Sequence, residues 1–153
     1  MKTLKIFALI ALAALTMTAC DKEKGGKKPN GATVSIVGEW HIATFEGDEA
    51  PFDIYVDFNE DGSYEMYQRL YTLNYERYGG TYAVSGDTVT GSYDDGQSWK
   101  CGYKAELSAD GNTLTMRSYE DVSVTTVYTK TPIPTEVKDE AAATRATDSE
   151  RFL

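Results

Sequence analysis

The chain has 153 residues, with 15 basic against 24 acidic side chains, a net charge of −9 and a single histidine. That length supports one domain with one modest core, and an acidic field repels phosphate backbones, which excludes nucleic acid as a partner. One histidine cannot form a metal-binding pair, so any base–nucleophile arrangement has to be built on His41.

Lys2 and Lys5 precede an uncharged apolar run from Ile6 to Leu15, which has the length of a signal-peptide core and is too short to span a bilayer. Small residues Thr18 and Ala19 follow, then Cys20. The stretch Met17-Thr18-Ala19-Cys20 resembles a bacterial lipobox, with Met17 where leucine is usual. The resemblance implies that residues 1–19 are a signal peptide and that the sulfur of Cys20 carries diacylglycerol. The expected location is then the cell envelope, most directly the outer membrane. Loss of Lys2 and Lys5 takes the net charge from −9 to −11, so attachment rests on palmitate-type chains, at about 0.8 kcal/mol per buried methylene. Residues 20–34 read as the lipidated cysteine and a flexible tether almost without apolar content. Asp21 and Glu23 resemble the surface-export signal of Bacteroidota lipoproteins. In enteric bacteria an aspartate beside the lipidated cysteine favours inner-membrane retention, so the membrane face stays open. With Cys20 lipidated, Cys101 has no disulfide partner; it alternates with Trp99, Tyr103 and Ala105 and reads as a small buried hydrophobe.

From residue 36 onward short alternating segments are separated by turn chemistry, which predicts an all-β domain over 35–134. The expected strands are 38–44, 52–58, 63–70, one ending at 82–84, 88–93, 98–107, 113–118 and 122–129. The turns are Asp61-Gly62, Ser85-Gly86-Asp87, Asp95-Gly96 and Asp110-Gly111, which are hairpin signals. Hairpins in series make an antiparallel up-and-down meander, and eight strands suffice to close it into a barrel. Tyr64, Tyr67, Tyr71, Tyr75 and Tyr78 recur at helical spacing, but their β propensity and the flanking hairpins favour strand, loop, strand. Residues 135–153 form a polar tail, expected to be partly disordered or weakly helical near Glu136–Arg145.

Gly38-Glu39-Trp40 at the first strand of such a meander resembles the Gly-x-Trp opening of lipocalins. The wider pattern runs through Phe58-Asn59-Glu60-Asp61-Gly62-Ser63-Tyr64, Gly79-Gly80-Thr81-Tyr82-Ala83-Val84, Tyr93-Asp94-Asp95-Gly96-Gln97-Ser98-Trp99 and Leu114-Thr115-Met116. It is similar to the short lipocalin-like domains of Bacteroidota lipoproteins. The resemblance implies that Trp40 plugs the closed end of the barrel and that the interior can offer a ligand cavity. Lipocalins stack a late arginine on that tryptophan; the late cation here is Lys130.

Other chemistry is sparse. Asp57-Phe58-Asn59-Glu60-Asp61-Gly62 matches the start of an EF-hand loop, but position twelve is the neutral Gln68 and the flanks have strand periodicity. A hairpin turn explains these residues better than calcium. His41 alternates opposite Trp40 and Ile42, on the outer face. No nucleophile-elbow, phosphate-cradling or Cys-x-x-Cys motif is present, and the chain reads as a non-enzyme without cofactor or metal.

Two functions follow from the interior. In the first, a monomeric anchored barrel binds a small apolar or amphipathic ligand in a shallow cavity bounded by Tyr64, Met66, Tyr82, Tyr93, Trp99 and Tyr103. In the second, the barrel is filled and serves as an envelope interaction module for a protein or glycan. Its contact candidates are then Tyr55, Tyr67, Tyr71, Tyr75 and Tyr119.

Overall fold

The turn residues dictate where the chain reverses. At Gly62 the backbone takes φ 83°, a conformation that L side chains rarely adopt. Its N–H donates to the Asn59 carbonyl at 3.1 Å, and the Asp61 carboxylate accepts from the Ser63 amide and hydroxyl at 2.9 and 2.6 Å. The EF-like residues thus make a β-hairpin, and the Asp61 carboxylate serves the turn.

A computed structural model describes residues 33–143 and 150–153. The expected signal peptide, Cys20 and nearly all of the tether lie outside the described residues. The strands are β1 Gly38–Phe45, β2 Asp48–Glu49, β3 Asp53–Phe58, β4 Ser63–Arg69, β5 Glu76–Ser85, β6 Thr88–Tyr93, β7 Tyr103–Leu107, β8 Thr113–Ser118 and β9 Thr125–Lys130. All pairs are antiparallel, and β1 also pairs with β9, which closes β1 and β3–β9 into an eight-stranded up-and-down barrel. The two-residue β2 only extends the β1 hairpin, through Thr44↔Glu49 and Phe45↔Asp48.

Two strands differ from the sequence reading. The strand expected over 98–107 pairs at both ends and breaks between them: Trp99 N–H meets Gly91 O at 2.9 Å, while Tyr103 is the partner of Val89. Between those points β6 advances by two residues and its partner by four, so Lys100–Gly102 bulges out of the ladder. The strand expected from Val122 starts instead at Thr125, and Val122 is 72 % exposed in the preceding loop. The tyrosine-rich stretch is strand, loop, strand: β4, residues 70–75 and β5.

Strand direction sorts the connections into two ends. The β1–β3, β4–β5, β6–β7 and β8–β9 connections share one end; the turns 59–62, 86–87 and 108–112 share the other. The second end is shut. Ile36 and Trp40 are buried there, and the Trp40 indole donates to Ile36 O at 2.7 Å. Val34, at the end of the expected tether, already donates to Gly86 O at 2.8 Å.

After β9 the tail does not stay free of the barrel. Thr135–Ala143 forms α1, whose Val137 and Ala141 pack with Ile133 on Tyr67 and Tyr75 of the outer barrel face. Glu39 accepts from Lys138 at 2.9 Å and from the Ile133 amide at 3.2 Å, and Glu140 accepts from the Tyr75 amide at 3.0 Å. Two small apolar side chains are a thin stripe, but the tyrosines beneath them complete it. Residues 150–153 then sit at the open end, with Leu153 buried in the main core.

Candidate functional site

Alternation along β4 aims Tyr64, Met66 and Gln68 into the barrel, and all three are buried. β6 contributes Tyr93, β7 Tyr103, and the segment before the bulge Trp99. Five of the six expected ligand residues, Tyr64, Met66, Tyr93, Trp99 and Tyr103, are therefore gathered in one buried cluster, with the half-buried Tyr82 packed against it. They meet as packed rings. Trp99 lies 5.2 Å from Tyr64 and 6.1 Å from Tyr103 between ring centroids, Tyr64 lies 6.2 Å from Tyr93, and Phe58 bridges to Tyr82 at 4.9 Å, all edge to face. Gly91 is what admits Trp99, since a Cβ there would fall 2.4 Å from the indole ring.

Three of the phenol hydroxyls in this set are engaged within the protein. Tyr64 OH accepts from the Trp99 indole at 2.9 Å, Tyr82 OH donates to Asn59 O at 2.8 Å, and Tyr93 OH donates to the Leu153 main-chain oxygen at 2.6 Å. Burial pushes Tyr64 up to about 12, against the lowering effect of the Trp99 hydrogen bond, and burial likewise raises Tyr93 and Tyr103. These phenols stay protonated and neutral at neutral pH.

Space for a ligand lies higher, at the open end. A pocket of about 300 Å³ is walled by Phe45, Phe52, Leu70, Tyr103 and, from the tail, Glu150, Arg151 and Phe152. Three phenylalanines form its apolar side: Phe45–Phe52, Phe45–Phe152 and Phe52–Phe152 centroids are 5.3, 5.8 and 5.4 Å apart, each pair edge to face. Cys101 and Ser118 are also in the wall, with Sγ and Oγ 3.2 Å apart; Cys101 is a free thiol, half-buried rather than fully covered. Arg151 adds charge, paired with Asp95 at 2.6 Å and stacked 4.5 Å from the Tyr93 ring centre. Its Nη1 is buried with no hydrogen-bond partner among the described residues. Of the six expected residues, only Tyr103 lines this pocket; Tyr82 and Trp99 instead border a separate outer groove of about 510 Å³ between β5, β6 and the bulge.

The outer face is partly taken. Tyr67 and Tyr75, read as partner contacts, are buried under α1, which withdraws them from an open surface, while Tyr55 packs against the same cluster and stays half-buried. Tyr71 and Tyr119 remain exposed. His41 faces outward as expected and is stacked on Tyr55, with ring centroids 4.2 Å apart. Its Nε2 lies 2.6 Å from Asp53 Oδ1, and the Asp53 carboxylate also accepts from Tyr75 OH and from Arg69 at 3.3 Å. Burial raises the Asp53 pKa, but the Tyr75 and His41 hydrogen bonds, with the charges of His41 and Arg69, outweigh it and leave a net lowering. The hub borders a surface depression of about 490 Å³. No group of three or more His, Cys, Asp and Glu side chains is placed to hold a metal ion among the described residues.

At the closed end Trp40 is buried to 1 % exposure, with Lys130 Nζ 5.6 Å from its ring centre. Lysine therefore stands where the resemblance calls for arginine and keeps the cation over the ring. Residues 36–116 match the family model of the lipocalin-like domain. The chain belongs to the lipocalin-like domain family. No curated protein matches it. The family's fold leaves its ligand unspecified, because a fold hosts many functions.

Sequence reasoning missed Phe45, Gln68, Asp53 and Glu150–Leu153. For Gln68 the signal was present: it has the same parity as the inward Tyr64 and Met66. For the tail the signal was the apolar pair Phe152-Leu153 after a long polar stretch.

Proposed function

We propose that this lipocalin-like protein is a monomeric envelope lipoprotein, held through diacylglyceryl-Cys20, that binds a small amphipathic molecule at the open end of its barrel. The observation that carries the reading is the pocket walled by Phe45, Phe52 and Phe152. Its volume of about 300 Å³ is at the small end of ligand pockets, of order 300–1,000 Å³. The apolar part of the ligand would lie on the three rings, and the Arg151 side chain in the wall would bring positive charge to an acceptor or anionic head group. The site moves up from the residues first expected, because Tyr64, Met66, Tyr93 and Trp99 fill the barrel below it. In this reading the protein is a binder rather than an enzyme, and its single histidine is not among the residues that wall the pocket.

Native mass spectrometry of protein purified from its own membrane tests this. A co-purifying small molecule, lost when Phe52 is changed to Asp, is the expected result. A clean apo mass, together with no saturable binding of a fluorescent fatty-acid probe, overturns it. The anchor is tested separately: a clickable palmitate analogue should label the chain, and Cys20→Ala should abolish the label.

A second reading has its own support. Tyr71, Leu73 and Val122 are highly exposed on two loops of the open end, and a packed barrel presenting such loops suits an interaction module with a protein or glycan partner. Cross-linking on intact cells that captures a partner, combined with a clean apo mass, favours this one.

A further inference from the structure

The segment Glu150–Leu153 is held in a way that differs from ordinary core packing. It belongs to no strand, and among the described residues no main-chain hydrogen bond joins it to the ladder. Its backbone is gripped by side chains. The Gln68 amide donates to Glu150 O at 2.7 Å and accepts from the Phe152 amide at 3.0 Å, while Tyr93 OH takes the Leu153 oxygen. Both ends of one buried side-chain amide are thus satisfied by the backbone of a segment outside the sheet, a form of recognition that does not depend on the segment's sequence. Selectivity comes from the side chains. Arg151 lies over the rings of Tyr93 and Tyr78 at 4.5 and 5.4 Å and pairs with Asp95, Phe152 packs edge to face against both Phe45 and Phe52, and Leu153 is 1 % exposed.

Gln68 sharpens the point. It is itself only 1 % exposed, and a buried amide stripped of its partners is costly, so the site is matched to a peptide backbone whether or not this segment supplies it. We propose that the open end of the barrel is a binding site for a short peptide with a cation–aromatic–aliphatic sequence, and that Glu150–Leu153 is its resident occupant, exchangeable for the same sequence on a separate chain. The proposal goes beyond the small-ligand reading and does not depend on it. Being on the same chain, the resident segment competes at a high effective concentration, of order millimolar for short linkers, so a separate peptide gains access only when the resident is weakened.

The test uses the full chain carrying Phe152→Ala and Leu153→Ala, titrated with a labelled synthetic peptide of the sequence of residues 147–153 and followed by fluorescence anisotropy. Saturable binding at least tenfold tighter than to the unaltered chain is expected, and adding Gln68→Ala to the variant should weaken it at least tenfold. Should the double variant lose its cooperative melt, the same titration on Phe152→Ala alone decides by the same criteria. A variant that melts cooperatively and fails to bind the peptide, or binds a scrambled peptide equally well, overturns the proposal.

Discussion

Each end of this barrel buries one large side chain to the same degree, Trp40 at the closed end and Leu153 beneath the open one, and holds it by different means. At the closed end Trp40 is 1 % exposed, and it belongs to a strand paired on both sides, with Val56 and with Lys130. At the open end Leu153 is also 1 % exposed, but its segment is held by side chains, through Gln68, Tyr93, ring contacts and the Arg151–Asp95 and Lys100–Glu150 ion pairs. Burial is therefore a poor guide to which plug can leave. Removing Trp40 requires opening two ladders, whereas removing Leu153 requires exchanging a few hydrogen bonds and apolar contacts while the barrel stays shut.

Substitutions can break that contrast. Trp40→Ala should have the largest effect, about 3–5 kcal/mol, read as a lower urea midpoint for the cooperative unfolding of the whole barrel. Leu153→Ala should lower stability by about 2 kcal/mol, the low end for a buried leucine, because the segment can undock first. Amide exchange at 150–153 should then accelerate far more than exchange in β4 and β5. Equal acceleration in all three places would mean that the two ends are one cooperative unit.

Asp53, where β3 begins at the open end, offers a pH handle. Its pKa is lowered in the folded state, so its contribution is complete above the unfolded carboxylate range and is lost as pH falls through the depressed value. Asp53→Asn should cost about 1 kcal/mol at pH 7, and its stability curve should be flatter than that of the unaltered chain below about pH 4. The smallest effect is expected at the closed end, where Lys130→Met removes the cation over Trp40. About 0.5–1 kcal/mol is at stake, and a shift of that size in the urea midpoint checks it.

Legibility in the sequence followed the range of the interactions concerned. Turn residues act within four positions, so Asp61-Gly62 and Asp110-Gly111 placed their hairpins correctly. The bulge at Lys100–Gly102 escaped because Trp99, Cys101 and Tyr103 keep the same parity across it. Tyr67 and Tyr75 read as exposed until Val137 and Ala141, distant in sequence, covered them. The tail's two roles, helix on the outside and segment at the mouth, depend on partners far off in sequence, 65 positions for Tyr75 with Glu140, 82 for Gln68 with Glu150 and 99 for Glu39 with Lys138. The same distance hid the site: single residues were found, but not what would occupy the space between them.

The pairing of β1 with β9 has a kinetic consequence. Trp40 is registered with Lys130, so the seam that completes the sheet joins the most widely separated strands of the barrel. Loop-closure entropy makes such non-local contacts slow to form. Hairpins can appear as soon as their turns are synthesised, yet no hydrogen-bonded circuit exists until residue 130 has been delivered. Until then both seam strands have unpaired edges. A chain with this topology stays extensible while it is being made, and its sheet becomes a closed ring only after its last strand arrives.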